Sequence, residues 1–209
     1  EWSYSSPLDI SADGLVVVGE SRSANGREAF RWTAATGMVG LGGLGGEEFY
    51  SSAIRVSADG SVVVGSSRSP TSVSRVEAYR WTAATGMVGI GYLPGGESSS
   101  VASGVSDDGS VVAGVSTSGL SPGWGEAFRW TGSKGLVGLG VLPGNEIPTS
   151  VPWGMSADGT VVVGWASTEN GREAFRWNES EGMIGMGDLP DGSFDSWATA
   201  VSADGSVIV

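Results

Sequence analysis

Short apolar runs alternate with glycine-containing turns along the whole chain, and the pattern returns at a nearly constant distance. One block reads VSADGSVVVG at 56–65, VSDDGSVVAG at 105–114 and MSADGTVVVG at 155–164. A related block, ISADGLVVVG, stands at 10–19, and VSADGSVIV at 201–209 is a fifth copy. Neighbouring copies are 46 to 50 residues apart, the length of one β-propeller blade. The turn aspartates that mark the copies are Asp13, Asp59, Asp108, Asp158 and Asp204.

Each copy contains enough strand pattern for one four-stranded sheet. In the second copy the pattern predicts strands at Ala53–Ser57, Ser61–Ser66, Glu77–Thr82 and Met87–Leu93. The Asp-Gly pair suits a type I turn in which glycine supplies the positive φ of a bulge. We therefore predict one all-β domain over 1–209, a β-propeller or propeller segment of four-stranded antiparallel blades. Its repeats are 1–46, 47–96, 97–145 and 146–192, followed by a partial terminal hairpin at 193–209.

A second block, EAFRW at 28–32, returns as EAYRW at 77–81 and as EAFRW at 126–130 and 173–177. Strand alternation places Phe30 and Trp32 on one face and Arg31 on the other, so they should contact opposite neighbouring blades. A catalytic pair is needed at one pocket only, whereas residues that join neighbouring blades must recur at every joint. We therefore interpret the repeated arginines and tryptophans as scaffold: Arg31, Arg80, Arg129, Arg176, Trp32, Trp81, Trp130 and Trp177.

The composition excludes several classes of chemistry. The 209 residues include no histidine and no cysteine, which removes histidine-assisted nucleophiles and ordinary zinc sites, and we expect no cofactor. The net charge of −12, with Lys134 as the single lysine, argues against nucleic acid as a partner. No apolar run approaches the roughly 20 residues of a membrane span, so we expect no direct membrane insertion. Because the chain opens at Glu1, we expect a mature chain or an excised fragment.

The three blocks S-x-DG-x-VVVG, xAFRWT and GMxxLGxLPGG, in this order, resemble the bacterial HAF repeat, a family of probable extracellular repeats. The resemblance covers nearly the whole chain. It implies a secreted or surface-anchored bacterial protein, in some relatives the passenger of an autotransporter. Where the family has histidine, this chain has glutamate, at Glu28, Glu77, Glu126 and Glu173. SADG is also similar to the Asp-box of sialidases and to the SPDG turn of TolB-like propellers, which we interpret as shared hairpin geometry.

Positions that differ between copies are where an individual function is expected. Five tryptophans have no equivalent in the other copies: Trp2, Trp124, Trp153, Trp165 and Trp197. Trp124 belongs to a longer loop, and Trp153 and Trp197 are expected just before first strands. The last four are our candidate binding residues, since exposed tryptophan suits sugar rings or a protein partner. The alternative is that they cover blade edges or cap the array.

Acidic residues outside the repeated positions allow two further hypotheses. Asp188, Asp191 and Asp195 are a candidate calcium site, although their spacing is not that of an EF-hand. A carboxylate-based glycoside hydrolase would need two acids across a scissile bond. The non-repeated candidates for that pair are Asp107, Glu169, Glu179 and Asp195.

The sequence therefore favours a non-catalytic module for recognition or surface architecture, outside the cell or on the bacterial surface. The expected ligand is a glycan or a protein. A glycoside hydrolase or another propeller enzyme is the alternative. The terminal hairpin lacks its third and fourth strands, and an unpaired strand invites pairing with another chain. The third expectation is that the chain is either truncated from a longer array or self-associates through this hairpin.

Overall fold

Glycine turns divide the chain into sixteen strands, which form four antiparallel sheets of four strands each. The computed structural model describes residues 4–45, 49–70, 76–190 and 194–209. Blade 1 contains β1 (Ser5–Ile10), β2 (Val17–Ser23), β3 (Gly26–Thr33) and β4 (Gly37–Gly40). Blade 2 contains β5 (Ser51–Val56), β6 (Val62–Arg68), β7 (Val76–Thr82) and β8 (Gly86–Gly91).

Blades 3 and 4 repeat the arrangement. Blade 3 contains β9 (Ser100–Val105), β10 (Val111–Ser116), β11 (Glu126–Thr131) and β12 (Gly135–Gly138). Blade 4 contains β13 (Ser150–Met155), β14 (Val162–Thr168), β15 (Gly171–Asn178) and β16 (Gly182–Gly185). In each sheet the strands lie in chain order, as in a propeller blade. The predicted fold class is confirmed. In blade 2 the strand boundaries differ from the predicted ones by one or two residues at most ends, and β5 ends at Val56 because Ser57 belongs to the turn.

The Ser-x-Asp-Gly turn is built in the same way in every copy. In copy two, Gly60 adopts a φ of 72° and donates its N–H to Ser57 O at 2.9 Å, which closes the turn. Ser57 Oγ donates to Asp59 Oδ1 at 2.7 Å and accepts the N–H of Val62 at 3.0 Å. The same carboxylate accepts the Ser61 N–H at 2.9 Å. The positive φ expected at this glycine is confirmed. The two hydrogen bonds of Ser57 make this serine a part of the turn as well.

Consecutive blades meet through two unlike surfaces. We call the surface that contacts the preceding blade the front face, and the surface that contacts the following blade the back face. At the first joint the front face of blade 2 buries Tyr79 and partly buries Trp81. Arg31, on the back face of blade 1, reaches the opposite way, so the predicted division of the motif between two joints is confirmed. The cluster at this joint comprises Val16, Val18, Ala29 and Leu41 from blade 1 and Ala53, Val56, Val63 and Tyr79 from blade 2.

The Asp-Gly turns also link the blades through backbone hydrogen bonds, which we call the turn ladder. The N–H of the second turn residue donates to the carbonyl of its equivalent in the next blade. The four bonds are Ala12 to Ala58 at 3.0 Å, Ala58 to Asp107 at 3.1 Å, Asp107 to Ala157 at 2.9 Å and Ala157 to Ala203 at 3.0 Å. A repeated turn is therefore both a hairpin connection and a joint between sheets.

The turn glycine has a second role at the joint, because a valine of the preceding blade lies against it. A Cβ added at Gly60 would stand 2.4 Å from Val16 Cγ2. The same approach is made by Val62 to Gly109, Val111 to Gly159 and Val161 to Gly205. Glycine is thus required here for space as well as for φ.

The arginine of the EAFRW motif bonds to the carbonyl of the same turn glycine at three joints. Arg31 Nε donates to Gly60 O at 3.3 Å, Arg80 Nε to Gly109 O at 3.1 Å and Arg129 Nε to Gly159 O at 2.9 Å. The fourth arginine is different. Arg176 Nη1 donates to Glu181 Oε2 at 2.6 Å within its own blade. The expectation that all four arginines serve joints is therefore wrong for Arg176, whose guanidinium is turned toward the acidic Asn-Glu-Ser-Glu turn.

The glutamate of the motif fixes the end of its own blade. Glu28 Oε1 accepts the N–H of Gly42 at 3.2 Å, and a Cβ added at Gly40 would stand 2.4 Å from the same oxygen. The equivalent bonds join Gly91 to Glu77 at 3.2 Å, Gly140 to Glu126 at 3.0 Å and Gly187 to Glu173 at 2.8 Å. The acid and the base of EAFRW therefore hold different parts of the scaffold.

A repeated serine, which is not among the residues expected from the sequence, joins the blades near their first strands. Ser51 Oγ accepts the Ala29 N–H at 2.9 Å and donates to Gly42 O at 2.6 Å. Ser100, Ser150 and Ser196 make the same pair of bonds at the later joints. The S-x-Ala/Pro spacing at 51–53, 100–102, 150–152 and 196–198 was the available signal.

If the motif tryptophan packs against the preceding blade, its replacement by alanine should lower stability by different amounts in blade 1 and blade 2. Trp81 is packed against blade 1, whereas Trp32 lies on the uncovered front face of blade 1 and is 37% exposed. Trp81→Ala should lower the free energy of unfolding by about 3 kcal/mol, and Trp32→Ala by about half as much. Urea unfolding followed by circular dichroism measures both. Equal costs would contradict the joint role of this position.

The turn aspartates predict a loss of stability in acid. The Ser61 N–H and the Ser57 hydroxyl lower the pKa of Asp59 from its usual 3.8 to about 2. Because the folded pKa is the lower one, this stabilisation is complete above pH 3.8 and is lost as the pH falls through about 2. Asp59→Asn should therefore melt lower than the parent at neutral pH and lose less between these limits. Asp107→Asn, at an exposed position, is the matched control; identical pH profiles for Asp59→Asn and the parent would contradict this prediction.

Candidate functional site

Three of the four candidate tryptophans lie close together at the end of the array. Trp165 belongs to β14, Trp153 to β13, and Trp197 to the segment that enters the terminal hairpin. The rings of Trp153 and Trp197 meet edge to face, with centroids 6.2 Å apart and an interplanar angle of 66°. Their side chains remain 47% and 43% exposed. Trp124 is also strongly exposed, at 70%, in the loop between β10 and β11, and Trp2 lies outside the described residues.

The position of Trp153 differs from the expected one. It does not precede the first strand of blade 4; it occupies that strand, where the register shifts between Pro152 and Gly154. The same irregularity occurs between Pro7 and Asp9 in β1 and between Ala53 and Arg55 in β5. A β-bulge leaves one residue out of the ladder and redirects its side chain. The strand pattern alone does not reveal this extra residue, so the sequence predicts Trp153 before the strand and not within it.

Arg172 packs against the rings of Trp165 and Trp197. Its guanidinium carbon lies 5.7 Å from the centre of the Trp165 ring and 5.2 Å from that of Trp197. Its Nε and Nη2 donate to the two carboxylate oxygens of Asp195 at 2.7 and 3.0 Å. A planar guanidinium held by two hydrogen bonds cannot rotate freely, so the ring of Trp197 rests on a fixed surface.

Part of this arrangement also occurs at the first joint and is therefore structural in origin. Arg27 lies 5.9 Å from the ring centre of Tyr50 and pairs with Glu20 at 3.1 Å. Arg27 and Arg172 bridge to equivalent positions, Tyr50 and Asp195, in the segments that follow their blades. What distinguishes the last joint is that Trp197, which packs against the arginine, also meets the half-exposed ring of Trp153.

A shallow depression of about 140 Å³ opens beside Trp153. Arg55 of β5, Ser103 of β9 and Met155 of β13 contribute to its wall. Arg55 Nη1 donates to Ile54 O at 2.9 Å, and the side chain is exposed. The site therefore offers an aromatic face, a thioether and a cation to a ligand. Arg55 is not among the residues expected from the sequence, although it differs from Asp9, Gly104 and Gly154 at the same register.

The candidate metal-binding acids are engaged by protein donors where they are described. Asp195 pairs with Arg172, and Asp188 Oδ1 accepts the Leu189 N–H at 2.8 Å. Asp191 lies outside the described residues. Within the described ranges, no group of three acidic side chains is placed to hold a metal ion. Calcium binding stays a prediction of the sequence alone.

The candidate catalytic acids are also spread over the molecule. Glu179 pairs with Lys134 across the joint between blades 3 and 4, and this contact lowers the pKa of Glu179. Asp107 belongs to the turn ladder, and Asp195 is held by Arg172. In the described part of the chain, each carboxyl with a clear pKa shift has a lowered pKa: Asp13, Asp59, Asp108, Asp158, Glu179, Glu181 and Asp204. A general acid for glycoside hydrolysis needs a raised one.

Solved structures share this fold at low sequence identity. TolB from Acinetobacter baumannii superposes with a TM-score of 0.60 and 16% identity over 95% of this chain. TolB from Agrobacterium tumefaciens gives a TM-score of 0.56 and 16% identity over 88% of it. A puromycin hydrolase gives 0.55 and 18% over 90%.

The chain spans only part of each of these proteins, namely 46% and 62% of the two TolB chains and 29% of the hydrolase. No family model and no curated protein matches the sequence. At such identities the likeness shows the β-propeller fold alone. Among the described residues, no helix is long and apolar enough to cross a membrane.

Proposed function

We propose that the chain is a non-catalytic recognition module that binds a ring-bearing ligand, best a glycan, on the indole faces of Trp153 and Trp197. The observation that carries the proposal is the pairing of these half-exposed rings at positions that the other copies do not share. Burial of a tryptophan at a joint explains the repeated tryptophans, but it does not explain two rings that stay half open. Indole rings present flat apolar area with little conformational entropy to lose.

The polar groups around the rings suit a hydroxylated ligand. Arg172 is neutralised by Asp195, so it supports Trp197 without presenting a free charge. Arg55, across the depression, has guanidinium donors for a hydroxyl or a carboxylate of the ligand. The shallow shape agrees with binding of one ring or of a chain end rather than enclosure of a whole substrate. A protein partner with an exposed aromatic or proline ring is the other ligand that this surface suits.

The contacts of the candidate catalytic acids support a non-catalytic role. The candidate pairs for hydrolysis are distributed among a turn, two salt bridges and a loop, and Glu179 has a lowered pKa. The similarity to puromycin hydrolase covers 29% of that enzyme and is a similarity of fold. From the resemblance to the HAF repeat, we extend the proposal to the location of the module: it acts outside the cell or on the bacterial surface. The proposed module uses no cofactor.

Binding to a glycan array, followed by titration of tryptophan fluorescence with the best ligand, tests the proposal. Trp153→Ala and Trp197→Ala should each weaken binding by about tenfold or more, because each removes a stacking surface worth at least ~1.4 kcal/mol. Arg55→Ala should weaken binding to an acidic sugar more than to its neutral counterpart. Trp124→Ala is the matched control, since Trp124 is 70% exposed in the separate loop of blade 3, and it should bind like the parent.

Two results would refute the proposal. One is equal binding by the parent, by Trp153→Ala and by Trp197→Ala. The other is cleavage of the bound glycan that disappears when one carboxylate is substituted, since this outcome would establish the hydrolase alternative. Each variant is first checked by its circular dichroism spectrum, so that lost binding is not confused with lost folding.

A further inference from the structure

Two acidic residues are buried in the described part of the chain, and they are held very differently. Glu20 is 8% exposed and Glu126 is 5% exposed. Glu20 pairs with Arg27 at 3.1 Å, whereas no described arginine or lysine lies within ion-pair distance of Glu126. A carboxylate that is removed from water without a counterion is unfavourable. Of the two buried acids, Glu126 is therefore the one without an opposite charge.

One oxygen of the Glu126 carboxylate accepts no hydrogen bond from the described residues. Oε1 accepts the Gly140 N–H at 3.0 Å, which is the bond that holds the end of the blade. Glu77 makes the same bond in blade 2, but its Oε2 also accepts the hydroxyl of Tyr92 at 3.2 Å. Blade 3 has Val141 in place of Tyr92, and a valine side chain has no donor. Glu126 Oε2 thus lacks the donor that the preceding copy supplies from its own chain.

Glu126 lines a groove of about 450 Å³ that opens between blades 2 and 3, beside β12, and we call it the β12 groove. Its volume is that of a site for a small molecule. In the described residues, no side-chain oxygen or nitrogen is both enclosed and without a partner, so Glu126 Oε2 keeps accessible surface where the residue borders this groove. The apolar part of the wall is formed by Leu93, Pro94, Leu120, Leu136 and Val137.

The groove exists because the connection between β10 and β11 is long. It spans residues 117–125, whereas two residues make the same connection in blades 1 and 4. The loop is held in place from both sides: Ser118 Oγ accepts the Leu120 N–H at 3.2 Å, and the Gly119 N–H donates to Pro94 O at 2.9 Å. The wall is therefore formed before a ligand arrives, and binding requires little further ordering of the chain.

We propose that the β12 groove binds an organic ammonium ion, that is, a small molecule with a primary amine on an apolar body. The ammonium group donates to Glu126 Oε2 and supplies the missing positive charge. The apolar body lies against Leu93, Leu120 and Val137. Leu120 and Val137 are 57% and 44% exposed, so the ligand removes apolar surface from water when it binds.

Charge and lining together favour an organic cation over other ligands. The net charge of −12 attracts cations and repels anions. A metal ion such as calcium needs several oxygen ligands, whereas this groove offers one carboxylate oxygen among apolar side chains. A neutral alcohol would make the hydrogen bond but would leave the carboxylate without a counterion. An amine on an apolar body satisfies the carboxylate and the apolar wall at once.

Nuclear magnetic resonance titration of the isotope-labelled 209-residue chain tests the proposal with three probes of one length, namely hexylammonium, hexanol and hexanoate. Hexylammonium should shift the amide signals of Gly119, Leu120 and Gly138, which line the groove. It should bind about tenfold more tightly than hexanol, because only the ammonium group neutralises the carboxylate. Hexanoate should bind most weakly, because its carboxylate repels that of Glu126.

Three variants separate the carboxylate from the apolar wall. Glu126→Gln keeps an acceptor for the Gly140 N–H but loses the charge, so it should weaken hexylammonium binding about tenfold and leave hexanol binding unchanged. Val141→Tyr introduces the hydroxyl that Tyr92 provides in blade 2, so it should weaken hexylammonium binding by occupying Oε2. Glu28→Gln removes the same charge from the same motif position of blade 1, and this matched control should bind like the parent.

Four results would overturn the proposal. The first is a parent whose groove amides do not respond to hexylammonium at any concentration. The second is equal affinity of the parent for hexylammonium and hexanol. The third is hexylammonium binding that Glu126→Gln leaves unchanged. The fourth is hexylammonium binding that Trp197→Ala abolishes, which would place the cation on the aromatic cluster instead. Glycan binding at Trp153 and Trp197 is measured separately, so failure of either proposal leaves the other standing.

Discussion

Every sheet in this protein must bury two different surfaces, and that requirement organises the rest of the chain. A single four-stranded sheet has no interior of its own, since each of its faces can be covered only by another sheet. The chain meets the requirement by making the back of each blade fit the front of the next one. The turn ladder, the valine on the turn glycine, the arginine on its carbonyl and the serine at the first strand all serve this fit. These positions recur at blade spacing because the joint recurs, whereas the motif glutamates recur because each one holds the end of its own blade.

The sequence alone predicted the sheets well, because turn chemistry and strand alternation are local. Asp59 and Gly60 determine a hairpin through their own backbone preferences, and Arg31 and Trp32 must face opposite ways in any strand. Contacts between blades were harder to predict. Ser51 resembles any polar residue before a strand, and only the neighbouring blade shows that its hydroxyl bridges Ala29 and Gly42. Arg176 has the same motif as Arg31, yet an acidic turn of its own blade attracts its guanidinium.

The candidate site was predictable in its residue types but not in its geometry. The absence of Trp153, Trp165 and Trp197 from the other copies was visible in the sequence. The contacts of Trp165 and Trp197 with Arg172, and of Trp153 with Trp197, depend on the packing of blade 4 against the terminal hairpin. A β-bulge moved Trp153 into a strand, and no apolar pattern marks that bulge. The proposed binding surface thus lies where blade 4 packs against the terminal hairpin, at positions that depart from the repeat.

The central claim is that the repeated turns are joints between blades, and amide hydrogen exchange on the dilute chain tests it most directly. Ala58, Asp107, Ala157 and Ala203 occupy the same turn position. Within the described residues, the first three donate their N–H to the equivalent residue of the next copy, and Ala203 does not. The account predicts slow exchange at these three amides and fast exchange at Ala203, because a bonded amide must open before it exchanges. Equally fast exchange at all four would show that the turns are hairpin connections alone, and the account of the joints would then fail.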